Sequence, residues 1–234
     1  MATEQVTTPT ADEVLATTRS VRGGIDTSRP VPRELIEECV TLALQAPSGS
    51  NIQNAHFVVV TDPEKRGALA EIYGRGWEMY AQTPLYAPTL KFDDPGHQAR
   101  QDEISKSALS FVEHIHEVPV MVIPCVDFGV GRGKVFAEAG YSRDVVLPTL
   151  VHSAVWGAIL PAATRFRLAA RARGLGSCWT VVHLFFEQDA AEVLGIPYES
   201  VLQAALFPVG YASEDEFFRA WRPPLSEVLH WDAW

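Results

Sequence analysis

The sequence has few cysteines and no closely spaced pair of them. Its three cysteines, Cys39, Cys125 and Cys178, lie far apart, and no Cys-x-x-Cys motif occurs. A disulfide framework or a structural zinc site requires clustered cysteines, so the spacing argues against both. We therefore expect reduced thiols and a cytoplasmic protein without a metal site.

Positive charge is also scarce. Lysine and arginine number 19 against 29 acidic residues, which gives a formal net charge of −10. A field of this sign repels phosphate backbones and argues against nucleic acid as a partner. A phosphate-bearing ligand would need a local cluster of arginines to overcome the overall charge.

The sequence also lacks a clear targeting or membrane-spanning segment. Residues Met1–Asp12 have neither the basic nor the apolar region of a signal peptide. One uncharged run, Val145–Ala163, is long enough to cross a bilayer, but Pro148 and Pro161 lie within it. We expect a buried helix there and no membrane partner.

Helical and strand patterns alternate along the chain without a recognisable linker, so a single domain is predicted over residues 11–234, after a disordered segment at 1–10. The main predicted helices are 12–17, 32–46, 64–73, 98–116, 153–173 and 188–194. The predicted strands are 56–61, 119–128, 177–184 and 202–211. The first two strands are nearly continuous apolar runs, which predicts burial on both faces. Residues 74–96, rich in aromatics and prolines, are predicted to be irregular, and Gly129–Gly133 a flexible loop.

Two short stretches combine turn residues with hydrogen-bonding side chains. The stretch Thr18-Arg19-Ser20-Val21-Arg22 is followed by two glycines and is suited to binding an anion. Taken alone, it is also typical of two surface arginines beside a turn. Ala46–Gln53 contains a proline, a glycine, two serines and two amides between a helix and a strand. Taken alone, this second stretch is also typical of a plain connecting loop.

The order and spacing of four segments resemble those of the FMN-dependent nitroreductase family. The resemblance extends from about Leu15 to Trp234. The four segments are Thr18–Arg22; Ala46–Gln53 with the strand through Asp62; Leu160–Ala163 with Leu168–Trp179; and Leu194–Pro197 with Pro208–Tyr211 and Arg222–Leu225.

This resemblance implies an α+β fold in which helices wrap a mixed central sheet, with two chains intertwined in a homodimer. It implies FMN as cofactor and NADH or NADPH as reductant, used in a ping-pong cycle. The implied acceptors are small molecules such as nitroaromatics and quinones. The flavin supplies the hydride chemistry, so no side chain is assigned as a catalytic acid, base or nucleophile.

The resemblance also implies which residues bind the cofactor. The segment Arg19, Ser20, Val21 and Arg22 would hold the FMN phosphate, with help from Arg222. The opposing subunit would supply Pro47, Ser48, Gly49 and Asn51 to the ribityl chain and ring. Backbone N–H groups of Trp179, Thr180 and Val181 would lie along the ring edge near N5.

The sequence departs from the family pattern at the end of the second segment. The family commonly has Pro-Trp where Asn54-Ala55 stand here. Because Ser50–Ala55 is expected to face the flavin and the acceptor, this change alters the expected pocket shape. Three alternatives stay open: a same-fold enzyme for reductive dehalogenation or flavin fragmentation, a non-catalytic flavin-binding protein, and a deazaflavin reductant.

Overall fold

The computed structural model describes residues 9–145, 148–213 and 217–234. The α-helices in these ranges are α1 (Ala11–Thr17), α2 (Arg33–Ala43), α3 (Pro63–Tyr80), α4 (Pro95–His114), α5 (Lys134–Glu138), α6 (Thr149–Arg171) and α7 (Glu187–Leu194). The strands are β1 (Ile25–Asp26), β2 (Ala55–Val60), β3 (Val120–Asp127), β4 (Leu175–Ser177), β5 (Val201–Gln203) and β6 (Phe207–Ala212). Most of the predicted disordered segment lies outside the described residues. Thr10, at its end, caps α1 through its side chain.

The strands form one sheet in the order β1-β6-β3-β2, with β4 added to β6 and β5 added to β3. All five strand pairs are antiparallel. Parallel pairing is found at an isolated bridge between Ser20 and Ser177. The predicted α+β class is confirmed, with antiparallel ladders making up nearly all of the sheet that was expected to be mixed.

The two long strands differ in burial. Every residue of β3 is buried, as predicted, because helices cover both faces of the strand at the centre of the sheet. The prediction for β2 is wrong: it is an edge strand, and His56 and Val59 are exposed. An apolar run therefore marks a strand here without showing whether the strand is central.

Helix α3 is seven residues longer than predicted at its C-terminal end, so the irregular region begins at Ala81 instead of Gly74. Glycine disfavours helices, but Gly76 has a packing role. A Cβ at Gly76 would lie 2.3 Å from the carbonyl oxygen of Val182. This glycine lets α3 approach the 3₁₀ helix Val182–Phe186, and the tertiary contact outweighs its low helix propensity.

The predicted strand 177–184 is also corrected. Strand β4 ends at Ser177, Thr180 forms only an isolated bridge with Leu206, and the chain then enters the 3₁₀ helix. The predicted strand 202–211 is divided between β5 and β6. Within the described ranges, no helix is both long and apolar enough to cross a membrane.

The loop Gly129–Gly133 is more ordered than predicted. The buried Asp127 carboxylate accepts hydrogen bonds from the backbone N–H groups of Gly129, Val130 and Gly133 at 3.1, 2.7 and 3.0 Å. These bonds fold the loop around the end of β3. They also satisfy a carboxylate that would be costly to bury without partners.

Candidate functional site

Three arginines from two distant parts of the sequence line one cavity of about 280 Å³. Arg19 and Arg22 belong to the turn after α1, and Arg222 belongs to the C-terminal segment. Ser20 also lines the cavity. The Val21 side chain does not line it and packs instead against the core, while its backbone N–H donates to the Ser177 carbonyl at 3.0 Å. The structure thus brings together in one cavity four of the five residues predicted to hold the phosphate.

Arg167 of α6 lines the same cavity, and the sequence motifs did not reveal it. Its guanidinium donates from Nη2 to the Arg19 carbonyl at 2.9 Å and from Nε to Ser177 Oγ at 3.1 Å. Burial lowers the pKa of Arg167, and the nearby charge of Arg22 acts in the same direction. Arg167 therefore ties the arginine turn to β4 and adds a fourth positive charge to the cavity.

A second cavity, of about 260 Å³, begins at Arg22 and is lined by Trp179, Thr180 and Val181. The Thr180 N–H donates to the Leu206 carbonyl at 3.1 Å, so this group is not free for a ligand. The N–H groups of Trp179 and Val181 have no hydrogen-bond partner in the described part of the chain. Of the three predicted donors to the ring edge, two remain available.

Aromatic residues of α3 and of the 3₁₀ helix also line this second cavity. Tyr73, Trp77, Tyr80 and Phe185 line it. Tyr73 OH and Thr180 Oγ1 form a 3.2 Å hydrogen bond, and burial raises the pKa of Tyr73 to about 12. The phenol is therefore neutral at physiological pH, and the wall is suited to a planar, largely apolar group.

Tyr80 also fixes the turn that follows α3. Its hydroxyl donates to the Leu85 carbonyl at 2.7 Å and accepts from the Ala87 N–H at 2.8 Å. Its ring makes edge-on contacts with those of Trp77 and Tyr86. The first part of the predicted irregular region is therefore held against the cavity.

The loop Pro47–Gln53 lies apart from these cavities. Pro47, Gly49 and Asn51 are exposed, Ser48 is partly buried, and none of the four lines either cavity. The loop is held by its own side chains: Ser48 Oγ accepts from the Gln53 N–H at 2.7 Å, and Asn51 Oδ1 accepts from Gln53 Nε2 at 2.8 Å. One chain therefore does not bring all the predicted site residues together.

The same loop has a strained backbone. Ser50, Asn51 and Gln53 have positive φ angles of 50°, 56° and 55°. Residues other than glycine rarely adopt this conformation, and each such residue costs on the order of 1–3 kcal/mol. Strain of this kind is concentrated at ligand-binding sites, where it fixes the direction of polar groups.

Asn54 does not face a pocket, contrary to the sequence-based expectation. Its side chain is buried and donates from Nδ2 to the Asp127 carbonyl at 2.6 Å, while Ala55 packs against a core cluster. Arg132 of the glycine loop donates to Gln53 Oε1 at 3.4 Å. The residues that replace the family's Pro-Trp, Asn54 and Ala55, therefore contribute contacts between β2 and β3, next to the strained loop.

A comparison with known families identifies the architecture. Residues 15–211 match the model of the nitroreductase family. The chain belongs to the nitroreductase family. This family consists of FMN-dependent oxidoreductases that use NADH or NADPH, so the cofactor and reaction class implied by the sequence motifs are confirmed.

Individual nitroreductase relatives resemble most of the chain. A 4-nitrobenzoate reductase of Nocardioides sp. is 28% identical over 80% of this chain and 74% of its own. An NADH dehydrogenase of Thermus thermophilus is 28% identical over 86% of this chain and 87% of its own. The structure of an NADPH:FMN oxidoreductase from Vibrio harveyi with NAD⁺ is 20% identical, with a TM-score of 0.65, and covers 95% of this chain and 77% of its own.

Proposed function

We propose that the chain works as a homodimer in which FMN carries electrons from NADH or NADPH to small aromatic acceptors such as nitroaromatics and quinones. The observation that carries this proposal is the direct junction of a four-arginine cavity with an aromatic cavity at Arg22. A flavin mononucleotide has the same two parts, an anionic phosphate and a planar ring.

The arginine cavity fits the phosphate. Arg19, Arg22 and Arg222 supply forked donors that pair well with phosphate oxygens, and Ser20 adds a hydroxyl. Arg167 acts mainly through position, because its bonds to Arg19 and Ser177 hold the turn in place. These local charges overcome the net charge of −10, since distant surface charges are screened by salt.

The aromatic cavity fits the ring and the acceptor. FMN held in these cavities would supply the hydride chemistry that links the nicotinamide to the acceptor. The N–H groups of Trp179 and Val181 would stabilise electron density at the ring edge, and Tyr73, Trp77 and Phe185 would exclude water beside the ring. The described side chains provide orientation and dryness, and no acid or base among them is assigned a proton-transfer step.

The exposed loop supports a dimeric site. Pro47, Gly49 and Asn51 are exposed and Ser48 is partly buried, and we assign these four residues to the flavin of the opposing subunit. Exposed leucines on the two helices beside the loop give a surface for the second chain: Leu42 and Leu44 at the end of α2, and Leu150 and Leu160 on α6. Three described free cysteines, all buried, are compatible with the proposed cytoplasmic location.

The test is to purify the protein and record the flavin absorbance before and after anaerobic addition of NADH or NADPH. We expect bound FMN to be bleached by at least one of them and restored by a small quinone or by 4-nitrobenzoate. Flavin that binds without bleaching would contradict the proposal and indicate a non-catalytic binding protein. Bleaching that only a halogenated aromatic reverses, with halide release, would replace nitro or quinone reduction by dehalogenation.

A further inference from the structure

The arginines of the arginine cavity differ in how firmly the fold holds them. Arg19, Arg22 and Arg167 are partly buried, whereas Arg222 is exposed. Arg222 belongs to the C-terminal segment, residues 217–234. The structure describes all of this segment, and none of its residues is buried. Segments with few buried contacts open at little cost in free energy, so other contacts must keep Arg222 at the cavity.

Hydrogen bonds fix Arg222 to its own segment. In the described part of the chain, the hydrogen bonds of residues 217–234 join residues of that segment to one another. One of them matters for the cavity, because Arg222 Nη1 donates to the Trp221 carbonyl at 2.7 Å. This bond ties the guanidinium to the backbone of Trp221. Whatever fixes Trp221 therefore also fixes the charged group of Arg222.

Aromatic contacts connect the segment to the helices. The Arg171 guanidinium of α6 lies over the Phe217 ring, 3.7 Å from its centroid. Trp221 stacks on His97 of α4, with ring centroids 4.5 Å apart and an interplanar angle of 21°. His97 stacks in turn on Phe92, at 3.7 Å and 22°. The contact nearest to Arg222 is therefore the ring stack of its sequence neighbour.

The rings beneath Trp221 are fixed to the start of α4. Asp94, the N-cap residue of this helix, accepts from the His97 N–H at 2.6 Å. The Phe92 N–H donates to Gln98 Oε1 at 2.9 Å. Trp221 thus rests on rings whose backbone is held by a capped helix, which gives the otherwise exposed segment a defined position.

We infer that Trp221, through its stack on His97, is a positioning residue for Arg222 and makes the site select FMN over riboflavin, which lacks the phosphate. The inference rests on the proposed flavin site and deepens it. Trp221 itself does not line the arginine cavity, so its effect on the phosphate passes through Arg222. The riboflavin moiety is common to both ligands and should not respond to the stack.

The experiment measures FMN and riboflavin binding to the deflavinated protein by calorimetry. The variants are Trp221→Ala, Trp221→Phe and Trp234→Ala. Trp234 is a matched control, because it is an exposed tryptophan of the same segment and stacks on His230 at 4.6 Å. Trp221→Ala should weaken FMN binding about fivefold, the effect of one aromatic pair, and riboflavin binding less than twofold. Trp221→Phe keeps a ring and should restore FMN affinity to within twofold of wild type, and Trp234→Ala should change neither affinity.

A double-mutant cycle separates positioning of Arg222 from a general structural effect. Arg222→Ala should weaken FMN binding about tenfold, the loss of one charge-assisted contact. Its control is Arg33→Ala, an exposed helical arginine that is paired with Glu37 and lines neither cavity. Adding Trp221→Ala to Arg222→Ala should then weaken FMN binding by less than a further twofold, because the side chain that Trp221 positions is already absent.

Three outcomes would overturn the inference while leaving the flavin site intact. The first is a Trp221→Ala variant that binds FMN as wild type does, or that loses FMN and riboflavin affinity equally. The second is a full fivefold effect of Trp221→Ala in the Arg222→Ala background. The third is a Trp234→Ala variant that weakens FMN binding as much as Trp221→Ala. Failure of the wild-type protein to bind FMN would instead refute the proposed function, and with it the inference.

Discussion

The arginine cavity and the loop Pro47–Gln53 are both proposed to contact the same cofactor, yet they differ in almost every physical respect. The arginine turn is fixed by the partly buried hydrogen bonds of Arg167 and by the bridge between Ser20 and Ser177 of β4. The loop is exposed, has three positive φ angles, and is held mainly by its own side chains.

This difference supports the proposed division of the flavin site between two subunits. A cavity formed by one chain can be stabilised by that chain's own core, so its residues pack and pair inward. A loop that serves another chain must remain exposed in its own fold, and its binding groups must be oriented in advance by local strain. The predictions below test this division, from the largest expected effect to the smallest.

Among the residues of the arginine cavity, Arg167 should be the one whose substitution has the largest effect. Arg167→Met removes the donors to the Arg19 carbonyl and to Ser177, and it should lower the free energy of unfolding by about 3 kcal/mol as well as weaken FMN binding. The matched control is Arg165→Met on the same helix, where an exposed arginine contacts the Gln45 carbonyl. Equal destabilisation by the two changes in urea titrations would show that Arg167 has no special role.

Substitution of Arg22 should weaken FMN binding more than it lowers the free energy of unfolding. Arg22→Ala removes one charge-assisted phosphate contact and should weaken FMN binding by about 1.5–3 kcal/mol, roughly tenfold to a hundredfold. Arg33→Ala should leave FMN affinity unchanged. Arg132 is unsuitable as a control because it contacts Gln53 of the loop. Identical FMN dissociation constants for Arg22→Ala and wild type would remove Arg22 from the site.

The stability contributed by the region around the cavities and by the loop Pro47–Gln53 should also depend differently on pH. His183, in the 3₁₀ helix beside the aromatic cavity, is fully buried, and burial lowers its pKa from 6.5 to about 4. Below pH 6.5 the unfolded chain gains a proton that the folded chain does not gain until about pH 4. His183 therefore contributes stability above pH 6.5 that is lost as pH falls to 4, at up to about 1.4 kcal/mol per pH unit.

This pH response is measured as the difference in unfolding free energy between wild type and His183→Gln across the same pH range. The difference should change in favour of the variant as pH falls. A difference that is constant with pH would show that His183 titrates normally in the folded protein. The loop 47–53 contains no titratable side chain and should add no such response.

The smallest expected effects come from relieving strain in the loop. Ser50→Gly should raise the unfolding free energy by up to about 1 kcal/mol, because glycine adopts a positive φ without steric cost. The same change at exposed Ser110 in α4 should lower stability by roughly 0.5–1 kcal/mol. Thermal melts compare the two. Destabilisation by Ser50→Gly would mean that the loop is not strained.

The sequence predicted the arginines that line the cavity better than it predicted the residues that hold them in place. Arg19, Arg22 and Arg222 were assigned together through the resemblance to the family, and all three line one cavity in the structure. Arg167 was missed because an arginine on a long helix resembles any solvated side chain until its carbonyl partners are known. The predicted helix 64–73 was too short because the contact of Gly76 with Val182, which helps to hold the last turns of α3, is set by tertiary packing.

Strand burial was likewise predicted incorrectly where it depends on tertiary structure. The apolar pattern predicted β2 and β3 correctly as strands, but it could not distinguish an edge from a centre, since pairing order depends on segments far along the chain. The role of Asn54 was mistaken for a similar reason. Its partner, Asp127, lies 73 positions away, and no local pattern reveals that bond.

The most direct test of the division between subunits is complementation between two defective chains. One chain carries Arg19→Ala with Arg22→Ala, and the other carries Ser48→Ala with Asn51→Ala. Each homodimer should bind FMN poorly, whereas a purified heterodimer with one chain of each type should regain one intact site and bind one FMN per dimer at wild-type affinity. If each site is built from a single chain, the heterodimer will contain no intact site, and a heterodimer that binds FMN no better than the two defective homodimers would contradict the account.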